Sequence, residues 1–159
     1  MNAQSVCLST ALAVVLAAAL GAHADTKVYN GNACQAQQGD QAVNLFRSTL
    51  DVRVIAGAPG LNVTCPIVRN NTENLDGIES ADVRVQSPTT EELLCQMQSR
   101  TALGELLQFV NVTTTSQNVN VLRLKLDVSS IGGTYSLICS LPPLGRILGY
   151  SVTEYPPTE

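Results

Sequence analysis

Bond-making proteins usually declare themselves through histidines, free thiols or paired carboxylates, and here the first of these is nearly absent. The only histidine among the 159 residues is His23. It stands in Ala22-His23-Ala24, the small-residue box that closes what reads as a signal peptide over residues 1–24. Cleavage before Asp25 would remove it. The processed chain would then have no imidazole base, which excludes Ser-His-Asp and Cys-His catalysis and leaves no histidine for a catalytic zinc or a copper.

Four of the five cysteines lie beyond that leader: Cys34, Cys65, Cys95 and Cys139. No CxxC pair occurs, and structural zinc sites usually draw on such pairs. An even count in an exported chain reads instead as two disulfides. Of the three connectivities, Cys34–Cys65 with Cys95–Cys139 is the expected one, because neighbouring segments of an antiparallel domain tend to lie together. Each bridge would close a loop worth about 3–4 kcal/mol in the chain-entropy model. With both formed, no thiol is left for chemistry.

What remains is oxygen chemistry. A glycosidase needs two acids about 5–10 Å apart. Glu91, Glu92, Glu105, Asp51 and Asp82 are the acids to weigh, but nothing in the sequence pairs them, and no residue is assigned a catalytic role. The chain also has no Trp, only four Tyr and two Phe, so aromatic platforms for sugar are scarce. The stretch from Arg69 to Asp82 is richer. Asn70, Glu73, Asn74, Asp76, Glu79 and Asp82 offer the hard oxygens that calcium takes. In an EF-hand register Asn74, Asp76 and Gly77 fall on the third, fifth and sixth positions, but Thr72 and Val83 stand where the anchoring carboxylates belong. An irregular calcium site is thus the one cofactor left open; the same residues serve equally as a solvated turn.

The elements that position these groups follow from the pattern. Ala11 to Leu20 is an uncharged apolar run, too short for the roughly 20 residues that cross a bilayer. No second such run follows, so the expectation is a secreted or periplasmic protein of bacterial origin without a membrane span after processing. Residues 25–159 read as a single domain. All nine Lys and Arg and all thirteen Asp and Glu fall in it, giving a net charge of −4. The basic residues come singly along the chain, so no nucleic-acid partner is expected.

Period-two alternation dominates this domain. In VNVLRLKLDV, Leu122, Leu124, Leu126 and Val128 share one face, and Arg123, Lys125 and Asp127 the other. TYSLICSL aligns Tyr135, Leu137, Cys139 and Leu141, and Pro142-Pro143 ends it. A last strand runs from Arg146 to about Thr153. Earlier, Leu50, Val52 and Val54 alternate, then Leu61, Val63 and Cys65, then Val83 and Val85, then Leu93, Cys95 and Met97. Asn70 to Ser80 reads as a polar loop. Thr101 to Val110 has helical spacing at Leu103, Leu106, Leu107 and Val110, although Gly104 and the Val/Thr-rich continuation favour a strand or a brief helical turn. The expected fold is all-β: an antiparallel β-sandwich, jelly-roll or immunoglobulin-like, with two disulfides.

Three Asn-x-Thr triplets start at Asn62, Asn70 and Asn111, and they are read as turn and strand chemistry. Tyr150 and Tyr155 are expected to form a small exposed aromatic patch. Cys65-Pro66-Ile67-Val68-Arg69-Asn70, the run from Tyr135 to Pro143 and the early Gly31-Asn32-Ala33-Cys34 resemble segments of a group of small exported bacterial proteins of unassigned function. That resemblance implies export and a compact β domain, and it carries no activity. The functional expectation is a non-enzymatic binding or structural domain of the cell envelope or extracellular space, with an unknown protein, glycan or surface as partner. A carboxylate-based hydrolase acting on glycans is the alternative, and an inhibitor with a protruding Arg69–Ser80 loop is a third reading.

Overall fold

The computed structural model describes residues 24–69, 77–128 and 132–155. The leader up to His23 and the calcium candidates Asn70, Glu73, Asn74 and Asp76 lie outside the described residues.

The described chain forms strands β1 (Thr26–Asn30), β2 (Gln35–Ala36), β3 (Leu45–Arg47), β4 (Val52–Val54), β5 (Leu61–Cys65), β6 (Ile78–Gln86), β7 (Leu93–Arg100), β8 (Leu106–Thr114), β9 (Asn120–Lys125), β10 (Thr134–Leu141) and β11 (Arg146–Glu154). Short 3-10 turns, Gly31–Ala33 and Gly39–Asn44, separate the first three. Six strands make one sheet in the order β3-β4-β11-β6-β9, with β1 lying along β11 beyond the end of β4. The other five make a second sheet, β2-β5-β10-β7-β8. Every pairing is antiparallel. Among the described residues no helix is long and apolar enough to cross a membrane.

The two sheets close on one core, as the alternation requires. Val52, Val54, Val83, Val85, Leu122, Leu124, Ile147 and Val152 of the six-stranded sheet are buried. They meet Leu61, Val63, Leu93, Met97, Leu137 and Leu141 of the five-stranded one. Each such aliphatic side chain contributes about 1.5–3 kcal/mol by leaving water. Both disulfides have the expected pairing, Cys34–Cys65 and Cys95–Cys139. Cys95 and Cys139 are direct partners across β7 and β10, and Cys34 stands just before β2 beside the end of β5. Both bridges therefore join neighbouring strands of the five-stranded sheet, whereas the immunoglobulin bridge links two sheets.

Three expectations need correction. Leu50 is 64% exposed, because Ser48 Oγ accepts the backbone N–H groups of Leu50 and Asp51 and holds a turn there, so the strand starts only at Val52. Val128 is 44% exposed: Gln108 Oε1 accepts the N–H groups of Asp127 and Val128, past the end of β9. The polar stretch ending at Ser80 is shorter than read, since Ile78 already opens β6 and is buried. The segment after Thr101 is a turn followed by a strand, the reading that Gly104 and the Val/Thr-rich continuation favour over the helical spacing of its leucines: Leu103 is 90% exposed in the turn, and β8 takes over at Leu106.

Two glycines allow close backbone contacts. A Cβ on Gly31 would lie 2.0 Å from the Ile147 carbonyl oxygen, so only glycine lets this segment cross β11. The ladder on β11 shifts register between Ile147 and Gly149. This bulge turns both Ile147 and Tyr150 inward and leaves Gly149 on the outer side.

Candidate functional site

The outer positions of the five-stranded sheet carry amides and hydroxyls and almost no charge. Because period two sends alternate residues to opposite faces, β7 buries Leu93, Cys95, Met97 and Ser99 and turns Leu94, Gln96, Gln98 and Arg100 outward. On β8, Leu107, Phe109, Asn111 and Thr113 point the same way. Strand register then aligns a row across all five strands: Asn111, Gln96, Ile138, Thr64 and Gln35. A second row holds Phe109, Gln98 and Ser136, and a third Thr113, Leu94, Ser140 and Asn62. At strand spacings of about 4.8 Å the face is about 19 Å wide.

The amides at its centre are fixed by one another. Arg100 donates to Gln98 Oε1 at 3.1 Å and to the Gly104 carbonyl at 2.9 Å. Gln98 Nε2 donates to Gln96 Oε1, and Gln96 Nε2 donates to Asn111 Oδ1 at 2.8 Å. Each amide offers two donors and two acceptor lone pairs, so each link leaves capacity to spare. Beside them Phe109 is 53% exposed. Toward β2 the face runs into a small cavity of about 140 Å³ bordered by Gln37, Gln38, Gln41, Asn62 and Ser140. This surface can hydrogen-bond several hydroxyl groups at once and lay an apolar C–H face on a phenyl ring.

The residues weighed for chemistry are placed elsewhere. Asp82 sits on β6, on the outer side of the six-stranded sheet, gripped by Arg123 through two hydrogen bonds of 2.7 Å. The Arg123 hydrogen bonds outweigh partial burial and hold its carboxyl below the usual range. Glu79 lies at the irregular start of β6, where its carbonyl accepts the Leu126 N–H at 3.4 Å. Among the described residues no group of three or more His, Cys, Asp and Glu side chains could hold a metal ion. Asp51 receives the Ser48 hydroxyl and lies 3.9 Å from Arg146. Glu91, Glu92 and Glu105 are exposed in the segments around β7 and before β8.

Tyr150 corrects the expected aromatic patch. It is 2% exposed, stacks on Tyr29 at 4.7 Å and 9°, and donates to the Pro66 carbonyl at 2.7 Å. Burial pushes its hydroxyl far above the ordinary range, so it stays a neutral donor tying β11 to the segment after β5.

The sequence carried one signal of the amide face. In Asn62-Val63-Thr64 and Asn111-Val112-Thr113 the valines turn inward, 0% exposed at Val63 and partly buried at Val112, while Asn and Thr share the outer side. These two triplets lie on strands, and the one at Asn70 lies outside the described residues.

No family model and no curated protein matches the chain. Solved structures do. The C-terminal CBM6 of LamC, a marine laminarinase from Zobellia galactanivorans, is 16% identical with a TM-score of 0.50, covering 81% of this chain and 99% of that one. A family two carbohydrate esterase from Cellvibrio japonicus is 9% identical with a TM-score of 0.47, and this chain spans 37% of its length and 86% of its own. TmCBM61, solved with β-1,4-galactotriose, is 9% identical with a TM-score of 0.40, covering 81% of this chain and 83% of that one. At such identities the likeness is one of fold alone: this chain shares the two-sheet β-sandwich of the LamC module.

Proposed function

We propose that this chain is an exported, non-catalytic domain that binds neutral glycans on the outer face of its five-stranded sheet. The observation that carries the reading is the hydrogen-bonded row Arg100-Gln98-Gln96-Asn111 beside the exposed Phe109. Sugar hydroxyls need paired donors and acceptors held at fixed positions, and a row of locked amides supplies them at little ordering cost on binding. The two disulfides suit an oxidising compartment outside the cytoplasm. The fold shared with a module of a laminarinase fits the same role. Against hydrolysis stand the acids themselves: Asp82 is committed to Arg123, and the adjacent Glu91 and Glu92 lie exposed on the β6–β7 connection, Glu105 on the β7–β8 connection.

Affinity gel electrophoresis with laminarin and with a galactan tests this. The protein should be retarded by at least one of them and release no reducing sugar. Gln98→Ala together with Phe109→Ala should weaken retention about tenfold, the loss of one good polar contact and one ring contact. Equal retention of the variant, with an unchanged melting temperature, or no retention on any neutral glycan, would overturn the proposal.

A further inference from the structure

The opposite side of the sandwich has a different composition. On the six-stranded sheet the outward positions hold Arg53 on β4, Arg146 on β11, Arg84 on β6, and Arg123 and Lys125 on β9. That is five of the nine basic residues of a chain whose net charge is −4. The acids among or beside them are Asp82, Glu79, Asp51 and, one outward position beyond Lys125, Asp127, four carboxylates against five cations. Two of the four are already engaged, and so are two of the cations. Asp82 is held by Arg123; Asp51 is bound by the Ser48 hydroxyl and lies 3.9 Å from Arg146, whose Nε and Nη2 donate to Gln86 Oε1. Arg84 is exposed, and no hydrogen bond or ion pair occupies it among the described residues.

Register orders these charges. Arg146 is the direct partner of both Arg53 and Gln86. Arg84 stands one outward position further along β6, Arg123 opposite Asp82 one further again, and Lys125 opposite Ser80 beyond that. Outward positions of a strand repeat about every 6.8 Å and strands lie about 4.8 Å apart, so the cations form a diagonal track about 25 Å long from β4 to β9. Midway lies a shallow groove of about 800 Å³. Gly149 and Ser151 form part of its lining, with Arg84, and Val28, Val119 and Val121 flank it, 80%, 54% and 50% exposed.

We propose that this track is a second binding surface, for an acidic polysaccharide whose carboxylates pair with Arg84 and Lys125 while ring C–H faces rest on the valines. Arginine's planar fork matches a carboxylate in two parallel hydrogen bonds. A concave groove with apolar walls suits a chain of rings, whereas a flat lipid surface would leave it empty. Single-stranded nucleic acid needs exposed aromatic faces for its bases, and the one phenyl ring at the end of the track, Phe46, is covered by the Arg53 guanidinium at 4.6 Å. This surface is independent of the neutral-glycan face and stands or falls separately.

Isothermal titration of the full exported chain with polygalacturonate checks it, with laminarin, phosphatidylglycerol vesicles and duplex DNA as parallel arms. Polygalacturonate should bind at low ionic strength and weaken markedly as salt approaches physiological levels. Arg84→Gln with Lys125→Gln should lower that affinity about tenfold and leave laminarin retention as it was, whether strong or absent. The melting temperature reports that the variant is folded. The proposal is overturned by no binding to polygalacturonate at low salt, by equal binding of the double variant, or by binding to vesicles or DNA in its place.

Discussion

On one side of this sandwich Gln35, Thr64, Gln96, Gln98 and Asn111 face solvent without a formal charge; on the other, Arg53, Arg84, Arg123, Lys125 and Arg146 do. Both faces arise from the same alternation of inward and outward residues, so the difference lies only in which sheet each strand joins. The chain changes sheet at every connection except β3 to β4 and β7 to β8. Residues twelve apart in sequence therefore land on opposite sides of the molecule, and charges that look evenly spread along the chain are sorted by the fold. The sheets differ in bracing as well, since both disulfides lie in the five-stranded one.

The sharpest test of that difference is covalent. Replacing Cys95 and Cys139 by alanine removes a bridge between residues 44 apart, worth about 4 kcal/mol in the chain-entropy model. Urea unfolding should show a loss of that order, and a loss below about 1 kcal/mol would mean the five-stranded sheet does not depend on its bridge. On the other sheet the vulnerable point is a missing side chain. A Cβ at Gly149 would lie 2.9 Å from the Tyr29 carbonyl oxygen, a backbone atom that cannot swing away. Gly149→Ala should cost about 1–3 kcal/mol through displacement of β1, read as a lower melting temperature. An unchanged melting temperature would show that β1 is free to shift.

The smallest effect belongs to Asp82. Its folded carboxyl titrates below the ordinary 3.8, so its contribution is present above that value and is lost as pH falls through the lower folded one. The melting-temperature gap between the wild type and Asp82→Asn should hold steady above pH 5 and close in more acidic solution. Exposure of the pair keeps the gap small. A gap that widens on acidification would mean Arg123 does not set this carboxyl.

Much of the fold was legible because burial leaves a local record. Leu122, Leu124 and Leu126 alternate with charged residues, and Cys95 and Met97 with Gln96 and Gln98, so facing follows from the pleat without knowledge of partners. The disulfide pairing followed from the neighbourliness of successive segments. Leu50 and Val128 misled because alternation continues past the point where a side-chain oxygen, on Ser48 or Gln108, has diverted the backbone. Tyr150 misled because a one-residue bulge reverses every later side chain on β11, and bulges have no compositional mark here. The two outer faces were the least legible. Gln96 and Asn111 come from different strands, and Arg53 meets Arg146 only through a pairing of residues 93 apart, so neither group exists until register is set.

The amide row has one further property. All its hydrogen bonds run the same way, from the guanidinium of Arg100 through Gln98 and Gln96 to the carbonyl oxygen of Asn111. The side-chain dipoles consequently add, and each link strengthens the next. Such a row has a head and a tail: a positive charge stands at one end and the amide hydrogens of Asn111 at the other. If an oligosaccharide binds here as proposed, its two unlike ends would meet unlike partners, and one orientation would be preferred.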